Sequence, residues 1–391
     1  MTRSLPALHA TGPDHHLAGA VLTVDLDRLA ANYRIMAARS QPAEASAVVK
    51  ADAYGLGIAQ VVPALLAAGC RRFFVAQPHE GIAVRAQAPD ADIYVLSPLL
   101  SAESTATLKQ HRLVPVLNTP ADITLWEAEG WMDGRALPCA VHVDTGMNRL
   151  GLSLAEAESF ARDNALTGAL NVSLVMSHLA CADDPAHPLN ARQCESFQRV
   201  RELFAGIESS LANSAGIGLG GDFLCDLTRA GIALYGGRAG PGTPLQAVAT
   251  LEGRILQIRS VRAGETVGYG ATVTLERDTV LAVVSCGYAD GYQRAISGAG
   301  VDMRRATALG GFGFAAGRRV PVVGRISMDL TCFDITDIAP DTLGRGDMIE
   351  LFGPNLSVED AAAAAGTIGY ELLTSLGRRY HRVYVGSSAD G

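Results

Sequence analysis

AVVKADAYGLGIAQVVPALLAAGCRRFFVA, residues 47–76, sets the pattern of the first part of the chain. Ala47–Lys50 is a short apolar run that stops at a lysine, Ile58–Ala68 carries apolar residues at helical spacing, and Phe73–Ala76 is a second apolar run. Neither run alternates between apolar and polar residues, which is how a parallel strand buried on both faces reads. Strand, helix and strand in one such stretch make a βα unit, and the unit recurs. Ile93–Ser97, Val114–Asn118, Cys139–Asp144, Val172–His178, Ser209–Asn213 and Gly231–Tyr235 read as further strands, with helical stretches such as Leu154–Asp163 between them. Eight units within about 250 residues predict an α/β fold, a (β/α)8 TIM-type barrel over residues 21–245.

Polar residues gather at the carboxyl ends of these runs: Lys50, Asp144, His178 and Asn213. In a barrel that end is the catalytic face. Simple strand termination explains one such residue. It explains poorly a lysine placed directly after Val-Val and a histidine directly after Val-Met-Ser.

After about residue 246 the texture changes. Ala247–Arg259, Thr279–Tyr288, Val320–Asp334 and Met348–Phe352 read as strands joined by Gly-rich turns, a mainly antiparallel β domain over residues 246–391. Ser357 with Asp360 resembles a capping box, opening a helix through the Ala run, and helix is expected again from Tyr370 towards Arg378. The opening strand Val21–Val24, before a helix Asp27–Ala38, is a candidate to pair with this second domain, and residues 1–20 read as an N-terminal extension.

Composition narrows the function classes. Of the 391 residues, 48% are hydrophobic and 18% charged, enough for two packed cores and unlike a disordered chain. A net charge of -8 without a basic run argues against nucleic-acid and membrane-surface partners. The seven cysteines are scattered and never spaced C-x-x-C, so no metal site is expected and reduced thiols in a cytoplasmic protein fit best. No secretory h-region or membrane-length apolar run is found.

Lysine is rare: of 32 basic side chains only Lys50 and Lys109 are not arginine. At the end of a buried strand an ammonium is costly, so the Lys50 pKa is expected to fall. A neutral amine there can condense with an aldehyde cofactor, which arginine cannot do.

The spaced stretches AVVKADAYG, VDTGMNRLG, MSHLA, ANSAG, RAGIALYGG, VGYGATVT, GYADGY, GRISMD and GYELLT resemble, in order, those of alanine racemases, pyridoxal 5'-phosphate (PLP) enzymes of fold type III. The resemblance runs from Val21 to near the C-terminus. It implies that Lys50 holds PLP through its amine and acts as one acid–base group, with Tyr269 as the other. It further implies a cofactor site of Tyr54, His178, Asn213, Ser214, Arg229, Gly231, Ile232 and Tyr370. Ser214, Gly231 and Ile232 suit a phosphate that needs hydroxyls and backbone N–H groups. Arg229 matches the arginine facing the pyridine nitrogen, and His178 matches a histidine set against the ring. Arg149 and the Met328 backbone N–H match substrate-carboxylate contacts, with Asp329 and Tyr288 nearby. In such enzymes the Tyr269 equivalent enters from a partner subunit, so the resemblance implies a homodimer with shared sites.

Four positions depart from familiar members: Asp52 for Asn, Leu56 for His, Ser210 for a histidine behind the pyridine-facing arginine, and His142 for a carbamylated lysine. The last leaves open what orients Arg149. The implied reaction is interconversion of L- and D-alanine, supplying D-alanine for peptidoglycan. Alternatives are a broad-specificity amino-acid racemase and a fold-type III PLP amino-acid decarboxylase. A PLP-binding homeostasis protein would resemble the barrel alone, and the second domain weighs against it.

Overall fold

The structure, a computed structural model, describes residues 7–238, 240, 245–298 and 310–386. One compact unit is built on Leu29–Leu234, and a second takes its strands from before and after it.

In the first unit eight parallel strands lie side by side in the order of a barrel: Glu44–Val48, Arg72–Val75, Asp92–Val95, Val114–Leu117, Leu137–His142, Leu170–Met176, Glu208–Ser210 and Leu227–Ala230, the last pairing back onto the first. Between the seventh and eighth, the Asp226 N–H donates to Ser209 and the Arg229 N–H to Ala212, so the two ends of the sheet also meet. Side chains such as Phe73, Ile93, Val116, Val141 and Leu174 are excluded from solvent, which accounts for the unbroken apolar runs. Helices begin where the sequence supplies caps. The Ser101, Thr119 and Ser153 hydroxyls each accept an N–H three residues on, and Pro78, Pro120 and Pro188 each open a helix.

The readings of the last two barrel strands need correction. The seventh strand is Glu208–Ser210, not Ser209–Asn213, and the eighth is Leu227–Ala230, not Gly231–Tyr235. Ile232–Tyr235 is a 3-10 turn. Its side chains are buried, and apolarity reports burial rather than extended backbone.

In the second unit nine strands form one sheet. All its pairings are antiparallel except His381–Val385 against Ala20–Asp25. The strand Ala20–Asp25 also pairs with Ala249–Val261, and Ala7–Thr11 pairs with His381–Val385. The expected single strand Val320–Asp334 is two, Arg318–Pro321 and Thr331–Asp334, because a loop carrying Gly324–Asp329 interrupts it. A small hairpin, Thr266–Val267 with Val273–Thr274, presents the turn Tyr269–Ala271. Ser357 caps the helix Val358–Ala365, and Gly369–Thr374 is the closing helix.

Candidate active site

Lys50 does not end the first strand, as read from sequence. That strand stops at Val48, and Lys50 opens a turn in which Ala51, Asp52, Ala53 and Tyr54 have φ of 54, 53, 55 and 56°. This is a left-handed helical turn of non-glycine residues, disfavoured by roughly 1–2 kcal/mol per residue. It is held at both ends. Ala53 N–H donates to Val49, the Ala51 N–H donates to a Glu80 carboxylate oxygen at 2.7 Å, and Asp52 Oδ1 accepts the Ile58 N–H at 2.8 Å. The substituted Asp52 therefore fastens the turn to the following helix. Strain maintained by its surroundings is common where a side chain must be aimed.

The Lys50 amine is pushed below the ordinary lysine value, first by burial and then by Arg149, with Glu80 opposing. His178 is pushed well below its ordinary value by burial, then by Arg229, Arg149, His142 and Lys50. These mutual influences place Lys50, His178, His142, Arg149 and Arg229 around one space at the carboxyl end of the barrel. At neutral pH His178 is uncharged there and suited to positioning.

Arg229, on the eighth strand, is buried, and its guanidinium donates to the Ser210 hydroxyl, the Ser177 carbonyl at 2.6 Å and the Leu211 carbonyl at 3.3 Å. His178 Nδ1 lies 3.4 Å from the same group. Ser210 donates its own proton to the Leu227 carbonyl, leaving an oxygen lone pair for Arg229. A serine thus occupies the support position. Burial lowers Arg229 to about 10, which leaves it charged at neutral pH.

A second feature suits a phosphorylated ligand. Ser214 Oγ accepts the N–H groups of Gly231 at 2.8 Å and Ala233 at 3.3 Å, while Asn213 caps the short helix Ser214–Leu219. A Cβ at Gly231 would lie 2.5 Å from the Tyr54 hydroxyl, so any larger residue there would displace that hydroxyl. Tyr54, Ser214 and Gly231 are thus neighbours, and their two hydroxyls beside a glycine backbone fit the phosphate of the phosphorylated aldehyde that the sequence implied.

Arg149 sits on a loop folded around Asp144, whose oxygens accept the N–H groups of Gly146, Met147 and Asn148 at 2.8–2.9 Å. Behind it His142 Nδ1 lies 2.8 Å from Asn118 Oδ1. The Asn118 amide donates to Val116 and Leu96, so its oxygen must face His142 and His142 Nδ1 carries the proton. Nε2 is left as an acceptor. Burial holds His142 at about 4, with Arg229 and Arg149 lowering it and Asp144 opposing.

In the second unit Tyr269 is 73% exposed, between Gly268 and Gly270 at φ of 74 and 76°. A Cβ at Gly270 would meet Arg325 Nη1 at 2.9 Å, so the Tyr269 turn rests against the Gly324–Asp329 loop. Tyr288 N–H donates to Ser327, Ala289 N–H donates to Met328, and Arg379 pairs with both Asp290 and Asp329. Tyr288, Met328 and Asp329 are therefore neighbours. No acceptor among the described residues takes the Met328 N–H. Tyr370 is half-exposed in the helix Gly369–Thr374.

Sequence reading missed Glu80, Asn118, Ser177 and Arg325. Asn118 carried a signal, a polar residue closing an apolar run as Lys50 and His178 do. Glu80 carried another, a carboxylate two residues after the proline that opens a helix. Ser177 acts through its carbonyl, to which sequence is blind.

Residues 24–239 match the family model described as alanine racemase, N-terminal domain, and residues 248–384 match alanine racemase, C-terminal domain. A Rhizobium meliloti (strain 1021) protein named alanine racemase is 50% identical over 378 residues, 96% of this chain and 99% of its own. A second relative, named alanine racemase, biosynthetic, from Agrobacterium fabrum, is 51% identical over 366 residues, 93% of each chain. Among solved structures, alanine racemase from Bartonella henselae, described with covalently bound pyridoxal phosphate, superposes with a TM-score of 0.86 at 38% identity, over 94% of this chain and 100% of that one.

Proposed function

The chain belongs to the alanine racemase family, and from that premise we propose that Lys50 and Tyr269 are the two acid–base groups with which it interconverts L- and D-alanine. It is a PLP-dependent amino-acid racemase, an isomerase. The observation that carries the residue assignment is the half-buried Lys50 amine at the start of its left-handed turn, held below its ordinary value and in electrostatic reach of Arg149, Glu80 and His178.

When bound, the cofactor supplies an electron sink that makes the α-proton of the amino acid acidic. Lys50 would hold it, Tyr54, Asn213, Ser214, Gly231, Ile232 and Tyr370 would hold its phosphate end, and His178 would lie against its ring. Arg229, unable to release its proton near neutral pH, would donate to the ring nitrogen and keep it unprotonated. That hydrogen bond would limit electron withdrawal by the ring and so favour racemisation over transamination. Arg149 and the Met328 N–H bind the substrate carboxylate. The Lys50 amine would take or return the α-proton on one face, and the Tyr269 hydroxyl would serve the other.

We also read the active form as a homodimer with shared sites. Supporting this, Tyr269, Met328, Ile368 and Tyr370 are large side chains left exposed in one chain. A cytoplasmic location is proposed on the seven free thiols, and the D-alanine is proposed to feed peptidoglycan. No described helix is long and apolar enough to cross a membrane.

Incubation of the purified chain and PLP with each L-amino acid in deuterated water tests the reading. Deuterium incorporation with inversion at alanine is expected. Carbon dioxide release, or equal turnover of lysine and arginine, would overturn it.

A further inference from the structure

Glu80 is a buried carboxylate that the proposed chemistry does not use. Its Oε2 accepts the N–H groups of Ala76 at 2.8 Å and Gln77 at 2.9 Å, where the second barrel strand gives way to the helix Pro78–Gln87. An N3 glutamate ordinarily satisfies only its own helix terminus. Here Oε1 leaves that terminus and accepts the Ala51 N–H at 2.7 Å. One side chain thus ties the residue after Lys50 to the end of the neighbouring strand.

The turn it reaches is the only run of consecutive left-handed non-glycine residues among those described. L-residues favour the right-handed alternative, so the turn persists only under restraint from outside itself. Asp52 restrains its far end through Ile58, and Glu80 restrains its first amide. Lys50 directly precedes the first anchor, and Tyr54, whose hydroxyl reaches the space beside Gly231, lies between Asp52 and Ile58. The carboxylate also acts on the Lys50 amine through its charge, against burial and Arg149.

We propose that Glu80 is a positioning residue for Lys50: by clamping Ala51 to the end of the second strand, it keeps the left-handed turn that aims the amine. The proposal rests on Lys50 being the cofactor-holding amine, and the test separates the two.

With only two lysines in the chain, Lys109 serves as an internal reference. The full-length protein, freed of cofactor, is exposed to limiting PLP. Each amine that attacks the aldehyde loses water to form a carbon–nitrogen bond, which borohydride reduces and fixes, and peptide mapping gives the capture rate at each lysine. In Glu80→Gln and Glu80→Ala the Lys50 rate should fall roughly tenfold or more while Lys109 is unchanged. Glu80→Asp, which keeps the charge on a shorter arm, should recover part of the loss. Val84→Ala, which removes buried volume from the same helix, controls for stability and should leave the Lys50 rate unchanged. An unaltered Lys50 rate in the Glu80 variants, or an equal loss in Val84→Ala, overturns the proposal. Capture at Lys109 and not at Lys50 in the unsubstituted protein overturns the reading of Lys50 itself, and the proposal with it.

Discussion

Two amines, Lys50 and Lys109, stand in opposite environments. Burial and Arg149 lower Lys50, whereas Lys109, half-buried among carboxylates, is raised by its hydrogen bond to Glu129. Only the neutral amine is a nucleophile, and a lower pKa leaves more of it at a given pH. Reductive methylation with formaldehyde should therefore reach Lys50 at lower pH than Lys109, and the reverse order would contradict the site. His142 titrates in the same sense. Its folded value of about 4 lies below the unfolded value of about 6.5, so the unfolded chain binds the proton first as pH falls. The associated stability is complete above the unfolded value and lost as pH drops through the folded one, about 3 kcal/mol in all. Urea unfolding of His142→Gln should show correspondingly less acid sensitivity. The resemblance sets His142 at the place of a carbamylated lysine; on that reading activity should also be independent of bicarbonate, and a bicarbonate requirement would refute the placement. Arg229→Glu would let the ring nitrogen carry a proton, so racemisation should fall and pyruvate formation from alanine should rise. Full racemase activity with no new pyruvate would contradict the role.

The left-handed turn decides the geometry at the level of elements. Ala51 is exposed with φ of 54°, and a glycine there loses no buried contact. Ala51→Gly should raise stability by about 1 kcal/mol and Ala51→Val should lower it, both read as urea midpoints. Sequence periodicity showed the βα units but not this turn. AVVK reads as strand to its end because nothing in Ala-Asp-Ala-Tyr announces positive φ; the restraint comes from Glu80, distant in sequence. The eighth strand was misplaced for a related reason. Leu227–Ala230 contains Thr228 and Arg229, whose polar groups are satisfied by Ser40 at a helix end and by Ser210 on the seventh strand, and the more apolar GIALY next to it took the strand reading. The Val320–Asp334 segment was legible as strand at both ends but not as interrupted, although Gly324-Arg325 marks the break.

For the molecule as a whole, the two-part architecture and the family were readable because many short motifs occur in fixed order, each with a physical task. The loop that carries Arg149 was not, since it is folded by backbone N–H groups donating to Asp144, which sequence does not display. A shared site predicts that mixing Lys50→Ala chains with Tyr269→Ala chains restores some activity, because one heterodimer site then holds both groups. No recovery in verified heterodimers would count against sharing. The two-base claim itself is tested most directly by α-deuterium exchange in Tyr269→Ala. Racemisation should be nearly lost in both directions, since the overall equilibrium ties forward and reverse rates together. Deuterium wash-in from D-alanine, the enantiomer assigned to Lys50, should survive well above that from L-alanine. Equal loss of exchange from both enantiomers would contradict the account.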